Sequence, residues 1–144
     1  MENEHEKPLT FFRFEDLRIY HKSLDYVNWV YAMTKIAKDE SFIKSFFERF
    51  LSSAHSIALN IAEGSSRNKS QFVYYLKMAK SSVRECVVLS TVGQSRNFIT
   101  KEAFDESKQQ LMEMTKMIGA LIGSLQRSVR PGESSDEDDE DDMT

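Results

Sequence analysis

The chain has one Glu-x-x-His pair, formed by Glu2 and His5. Di-metal carboxylate sites in helical bundles need this pair on two helices, together with a glutamate from each of two others. Glu2 and His5 lie in a polar leader, and neither His21 nor His55 has a second histidine at ligand spacing. We therefore predict no metal site and no cofactor.

The single cysteine, Cys86, occupies a core-facing position of a helical pattern with no histidine near it in the sequence, which favours a buried, inert thiol. The chain shows no phosphate-binding loop, dinucleotide fingerprint or nucleophile elbow. We predict no catalytic residue and no enzymatic activity. One cysteine forms no intrachain disulfide, and the first residues do not resemble a signal peptide, so we expect a cytoplasmic protein.

The net charge of −4 averages two regions of opposite sign. Residues 133–144 hold eight acids and no base, so the other 132 residues carry 19 basic and 15 acidic groups. Such an acidic run buries too little apolar surface to fold. We predict a flexible leader over 1–13, a folded domain over 14–130 and a disordered acidic tail over 131–144, beginning at Pro131 and Gly132.

The most basic region spans residues 67–101, with seven basic side chains against the single acid Glu85. Lys77, Lys80 and Arg84 step by three and four residues, which predicts one outward stripe on a helix. This stripe is either a solvated face or a contact for the phosphates of RNA or DNA. The candidate nucleic-acid-binding residues are Arg67, Lys69, Lys77, Lys80 and Arg84.

The elements that position these residues are helices. The chain of 144 residues has 40% hydrophobic residues but only five Gly and two Pro, which indicates one all-α domain. Apolar residues recur at helical spacing from Leu17, from Ile43, from Phe72 and from Phe104, with Asn68 and Thr100 as N-caps. Short connections predict an antiparallel up-down-up-down four-helix bundle. The longest apolar run, 117–125, is too short for a membrane span, and its glycines Gly119 and Gly123 predict close helix packing.

The first helix has two apolar rows. We predict that one row faces inward and consists of Leu17, Tyr20, Leu24, Val27, Tyr31 and Thr34. The second row contains Ile19, Tyr26, Val30, Met33 and Ala37. A helix with two rows either contacts a second subunit or is packed centrally. The predicted oligomer interface consists of Ile19, Tyr26, Val30 and Met33.

The end of the second helix combines Asn60, Glu63 and Gly64. We predict that Gly64 ends the helix in the left-handed conformation. Asn60 and Glu63 share a face and are expected to hydrogen-bond the 14–16 segment or the start of the third helix, in preference to binding a ligand.

Three blocks carry a family resemblance: Phe14-Glu-Asp-Leu17, Ile57-Ala-Leu-Asn-Ile-Ala-Glu-Gly64, and 72–85 with Leu76-Lys-Met-Ala79. Over about residues 14–125 the chain resembles the small bacterial four-helix bundle proteins of intervening sequences in large-subunit ribosomal RNA genes. The resemblance implies a homopentamer. It extends to accessory proteins of diversity-generating retroelements, similar in fold, which bind nucleic acid and a reverse transcriptase. This chain departs from the pattern at Leu51-Ser-Ser-Ala-His55, where many relatives carry arginine pairs, and in its acidic tail.

Two functions remain open. The first is an oligomeric, non-enzymatic protein that binds RNA or DNA, or supports a reverse transcriptase, through the basic face of the third helix. The alternative is a structural or protein-interaction module without nucleic-acid binding. In that case the first helix assembles the oligomer.

Overall fold

The computed structural model describes residues 11–128. A short 3-10 helix, Arg13–Asp16, precedes four α-helices: α1 (Arg18–Ile36), α2 (Ser41–Ser65), α3 (Lys69–Ser95) and α4 (Lys101–Arg127). The predictions for the first ten residues, including the Glu2 and His5 pair, and for the tail over 131–144 lie outside the described residues.

Neighbouring helices run antiparallel. Ser53 and Ser56 of α2 hydrogen-bond Glu85 and Ser82 of α3, so the two helices advance in opposite directions. On the other side of the bundle, Lys22 and Trp29 of α1 bond Glu113 and Glu106 of α4 in the same reversed order. Each helix packs on the next along the chain, and α1 closes the bundle against α4. The predicted all-α up-down bundle is confirmed.

Capping residues define the helix ends. The side chains of Asn68 and Thr100 accept hydrogen bonds from the backbone N–H groups of Gln71 and Ala103 at 2.9 and 3.0 Å, as predicted. α3 ends at Ser95, earlier than the predicted end near Phe98. There Asn97 adopts φ 64°, and the Phe98 N–H bonds the Gly93 carbonyl oxygen at 2.7 Å. This is a Schellman motif, in which backbone N–H groups beyond the helix bond carbonyl groups of its last turn.

The core lies along the apolar rows of the helices. The predicted inward row of α2 is confirmed, since each of its members is at most 5% exposed. The α2 row consists of Ile43, Phe47, Phe50, Ala54, Ile57 and Ile61, and it meets Leu76, Ala79, Val83, Cys86, Leu111, Met114 and Ile118 from α3 and α4.

The second apolar row of α1 is the more deeply buried of the two, although Val27 of the predicted inward row is also buried, at 5% exposure. Ile19, Tyr26 and Val30, predicted at a subunit interface, are buried within one chain at 3%, 0% and 0% exposure, and Met33 is half-buried. Tyr31, predicted to face inward, is 46% exposed. The first three residues are therefore not available to a second subunit, and the central-packing alternative applies to α1. The physical reason is that its neighbours α2 and α4 both cover the side that carries Tyr26.

The glycines also differ from expectation. Gly64 lies inside α2 and does not have a left-handed φ. A Cβ atom there would approach the Tyr75 Cβ atom of α3 to 2.6 Å, so Gly64 permits a close approach of two helices. Gly119 and Gly123, predicted at a close helix contact, make none: a Cβ at Gly119 would meet nothing within 4 Å, and one at Gly123 would meet only the Arg127 side chain.

Candidate nucleic-acid interface

Four of the five predicted basic residues reach the surface. Arg67 and Lys69 are exposed at the start of α3, because the Asn68 cap begins the helix between them. Lys77 is half-buried and Arg84, two turns farther along the same side, is exposed. We call Lys69, Lys77 and Arg84 the basic edge of α3.

Lys80 is not part of that edge. It is 5% exposed, so the prediction of one outward stripe through Lys77, Lys80 and Arg84 is wrong at this position. A step of three residues turns the helix back by about 60°, and Lys80 follows Val73 by two turns on the same side. Val73 is itself buried, at 2% exposure, which explains the placement of Lys80 toward the interior.

Arg67 is held by its neighbours at the α2–α3 corner. Its guanidinium forms an ion pair with Glu63, including an Nε to Oε2 hydrogen bond of 3.0 Å, and lies 5.3 Å from the centre of the Tyr75 ring. The hydrogen bond to Glu63 is the main reason that the pKa of Arg67 is raised. Arg67 is therefore held at this corner by the Glu63 carboxylate and by the face of the Tyr75 ring.

The Asn60 and Glu63 pair stabilises the end of α2 in a different way from that predicted. The amide of Asn60 donates to the Ser56 carbonyl oxygen at 2.9 Å and to the Ser56 hydroxyl at 3.2 Å, both within α2. Glu63 pairs with Arg67 just before α3. These contacts lie within α2 and at the corner that follows it, so they fix the end of the helix locally.

An apolar feature of α3 was missed at the level of sequence. Tyr74, Met78, Val88 and Val92 are 58%, 42%, 59% and 40% exposed. With Ser81 and Glu85 they form one row, the outer stripe of α3, at steps of four and three residues. The same spacing is present in the sequence, beside the apolar recurrence that begins at Phe72. Tyr74 also offers a ring to a nucleic-acid base beside the basic edge.

The remaining reactive groups are structural. Cys86 is buried, and burial raises the pKa of its thiol to about 12, as expected for an inert cysteine. His21 and His55 hydrogen-bond the backbone oxygens of Glu15 and Leu51. Within residues 11–128, His, Cys, Asp and Glu side chains form no group that could hold a metal ion.

No helix in the described part of the chain is long and apolar enough to cross a bilayer. A comparison with curated proteins finds none that matches. The sequence profile described as 23S rRNA-intervening sequence protein matches residues 15–120. This match spans most of the chain, and it covers α1, α2 and α3 completely and α4 as far as residue 120. The chain therefore belongs to the 23S rRNA-intervening sequence protein family.

Proposed function

We propose that this protein binds RNA or DNA through the basic edge of α3 and catalyses no reaction. The observation that supports the proposal is the placement of Lys69, Lys77 and Arg84 along one side of α3, with the exposed ring of Tyr74 on the same helix. Cationic side chains along one edge neutralise phosphates, and aromatic rings stack on bases without regard to sequence. The bound species is therefore defined by its phosphates, with little dependence on base sequence.

A gel-shift titration with single-stranded RNA and DNA of mixed sequence tests this proposal. Phosphate contacts release counterions, so affinity is expected to fall steeply between 50 and 200 mM salt. Lys77→Glu with Arg84→Glu should lower the affinity at least tenfold and flatten the salt dependence.

Lys35→Glu serves as the matched control, because Lys35 is an exposed base at the end of α1. It should leave binding nearly unchanged. Equal losses in the control and in the α3 variant would show non-specific charge attraction. Absence of binding by the natural chain and by a chain ending at Arg130, both at low salt, would reject the proposal.

The second candidate is a protein-interaction module. Two observations favour it: the apolar members of the outer stripe of α3, and an open cleft of about 900 Å³ at one end of the bundle. The cleft lies between the end of α1, the start of α2 and the α3–α4 connection, and it is lined by Ile36, Phe42 and Phe98 among others. If the protein has this function, its association with a protein partner should depend little on salt and on charge reversal on the basic edge.

A further inference from the structure

The basic edge of α3 lies on the side of that helix that faces α4. Ser82 hydrogen-bonds Ser56 of α2 at 2.8 Å, so it marks the α2 side of α3. Arg84 follows Ser82 by two residues, which places it about 160° away around the helix axis. Lys77 precedes Arg84 by two turns and lies on the same side. The basic edge therefore borders the groove between α3 and α4.

The side of α4 that borders the same groove is also basic. Glu106 accepts a hydrogen bond of 3.1 Å from Trp29 and so marks the α1 side of α4. Lys108 follows Glu106 by two residues and therefore lies on the opposite side, toward α3. Lys116 and Arg127 lie three turns apart on a row closer to solvent. We call the exposed residues Lys108, Lys116 and Arg127 the basic row of α4.

One contact fixes how the two sets of basic residues are aligned. The hydroxyl oxygens of Ser90 and Ser107 lie 2.6 Å apart, which sets the level at which the antiparallel helices meet. Counted in opposite directions from this contact, Arg127 lies level with Lys69 and Lys116 lies level with the last part of the basic edge. At 1.5 Å per residue the two rows flank about 30 Å of groove.

The acids of both helices face other surfaces or are already paired. Glu85, the one acid of α3, accepts a hydrogen bond from α2. On α4, Glu106 and Glu113 bond α1, and Glu102 lines the cleft at the end of the bundle. The remaining acid of α4, Asp105, forms an ion pair of 2.8 Å within its own helix. The groove between α3 and α4 therefore concentrates positive charge, which attracts phosphates.

We propose that this groove binds a single strand of RNA or DNA along its length, between the basic edge of α3 and the basic row of α4. The proposal rests on the proposed function and adds a second helix to the site. Axes of packed helices lie about 8–10 Å apart, so both rows reach the phosphates of one strand. Each strand of a duplex completes a turn in about 34 Å and would leave a straight groove, whereas an extended single strand follows it.

The first test reverses charge on α4 alone. Lys108→Glu with Lys116→Glu should lower the affinity for single-stranded RNA of mixed sequence at least tenfold in gel-shift titrations and flatten its salt dependence. Lys35→Glu with Arg49→Glu is the control, because it makes the same change in net charge at exposed residues of α1 and α2. The control should leave the affinity nearly unchanged.

The α3 variant separates the two proposals. If Lys77→Glu with Arg84→Glu weakens binding while the α4 variant behaves as its control, α4 takes no part and the groove proposal is overturned, although the proposed function stands. If the natural chain and the chain ending at Arg130 bind no nucleic acid at low salt, both proposals fail. At equal phosphate number, a single strand should bind more tightly than a duplex. Equal or tighter binding of the duplex would overturn the proposal.

The second test obstructs the groove without a change in charge. Gly119 follows Lys108 by three turns on the same side of α4, and a Cβ atom there would meet nothing within 4 Å. Gly119→Leu should therefore keep the helical circular dichroism of the natural chain but weaken single-strand binding severalfold, with the same salt dependence. Ala120→Leu is the control, because the exposed Ala120 lies about 100° farther from α3. Equal affinities of the two variants would place the strand outside the groove and overturn the proposal.

Discussion

A chain of hydroxyl groups crosses the core of the bundle. The Tyr26 hydroxyl of α1 lies 2.7 Å from the Ser107 hydroxyl of α4, which lies 2.6 Å from the Ser90 hydroxyl of α3. All three residues are completely buried, and burial raises the pKa of Tyr26 well above its usual range. Buried hydroxyls are tolerated where each has a partner. The three therefore act as a unit that aligns three helices.

Substitutions in this hydroxyl chain should have different effects on the unfolding free energy, depending on whether they remove an end hydroxyl or the middle one. Tyr26→Phe removes one end and leaves the serine pair intact, so we expect a loss of about 1 kcal/mol in unfolding free energy. Ser107→Ala removes the middle member and leaves two buried hydroxyls without it, with an expected loss of about 2 kcal/mol. Urea unfolding measures both. A smaller loss for Ser107→Ala than for Tyr26→Phe would contradict this account.

Burial of Cys86 makes the free energy of unfolding fall at alkaline pH. Burial, and secondarily the charge of Glu85, raises the pKa of its thiol to about 12, while an unfolded cysteine ionises near pH 8.5. Between these two pKa values the Cys86 thiol ionises only in the unfolded chain. This ionisation favours the unfolded chain and so lowers the free energy of unfolding. The contribution is complete below about pH 8.5 and is lost as the pH rises toward 12, by about 1.4 kcal/mol per unit.

Comparison with Cys86→Ala isolates this effect from other groups that titrate in the same range. The variant should be less stable than the natural chain at pH 7 because it leaves a cavity. We expect the difference in unfolding free energy to shrink by about 1 kcal/mol between pH 7.5 and pH 9.5. An equal difference at both pH values would show that the native thiol ionises normally.

At the scale of elements, α2 and α3 approach each other closely at Gly64, beside the Phe72 and Tyr75 side chains. Gly64→Ala places a Cβ atom 2.6 Å from the Tyr75 Cβ atom, and backbone-proximal atoms cannot move aside easily. We expect a loss of about 2 kcal/mol in unfolding free energy.

Gly119→Ala is the matched control for Gly64→Ala. Gly119 also lies within a helix, but a Cβ atom there meets nothing within 4 Å. Alanine should stabilise α4 by about 0.5–1 kcal/mol, because glycine costs more backbone entropy in a helix. Thermal or urea unfolding distinguishes the two variants by sign. Stabilisation by Gly64→Ala would mean that the helices do not approach as closely as described.

Periodicity predicts the existence of each element better than its orientation. The α2 row from Ile43 to Ile61 has one apolar face, so its inward side follows directly from the sequence. α1 has two such faces, and the choice between them depends on where α2 and α4 lie. Tyr26 is buried where its hydroxyl forms a hydrogen bond with the hydroxyl of Ser107, which is far away in the sequence. No local pattern contains that information.

The candidate site shows the same limit. The composition of residues 67–101 predicts a basic region, and the exposed Arg84 belongs to it. Lys80 is buried and does not belong to it. Residues spaced by three or four differ in direction around the helix axis, so one of them can point toward the core while the others face solvent. The outer stripe of α3 is difficult to predict for a related reason. Once one apolar row accounts for a helix, a second row at the same spacing has no obvious role within a single chain.

At the scale of the whole molecule, positive and negative charge are separated along the chain. Residues 133–144 carry eight acids, whereas the remaining 132 residues carry 19 bases against 15 acids. An acidic segment tethered to its own domain is present at a high effective concentration near a basic surface. We therefore expect these acids to compete with nucleic acid for the basic edge of α3.

Deletion of residues 131–144 should accordingly strengthen the binding of RNA or DNA severalfold at 50 mM salt, with less effect at 200 mM, where charges are screened. Replacement of the eight acids by Asn and Gln at unchanged length is the control that separates charge from bulk, and it should match the deletion. Lys77→Glu with Arg84→Glu in the shortened chain should abolish the gain, because those side chains release the counterions. Gel-shift titrations at both salt concentrations measure all three. If the shortened chain binds nucleic acid no more tightly than the full chain, the acids do not compete for this surface.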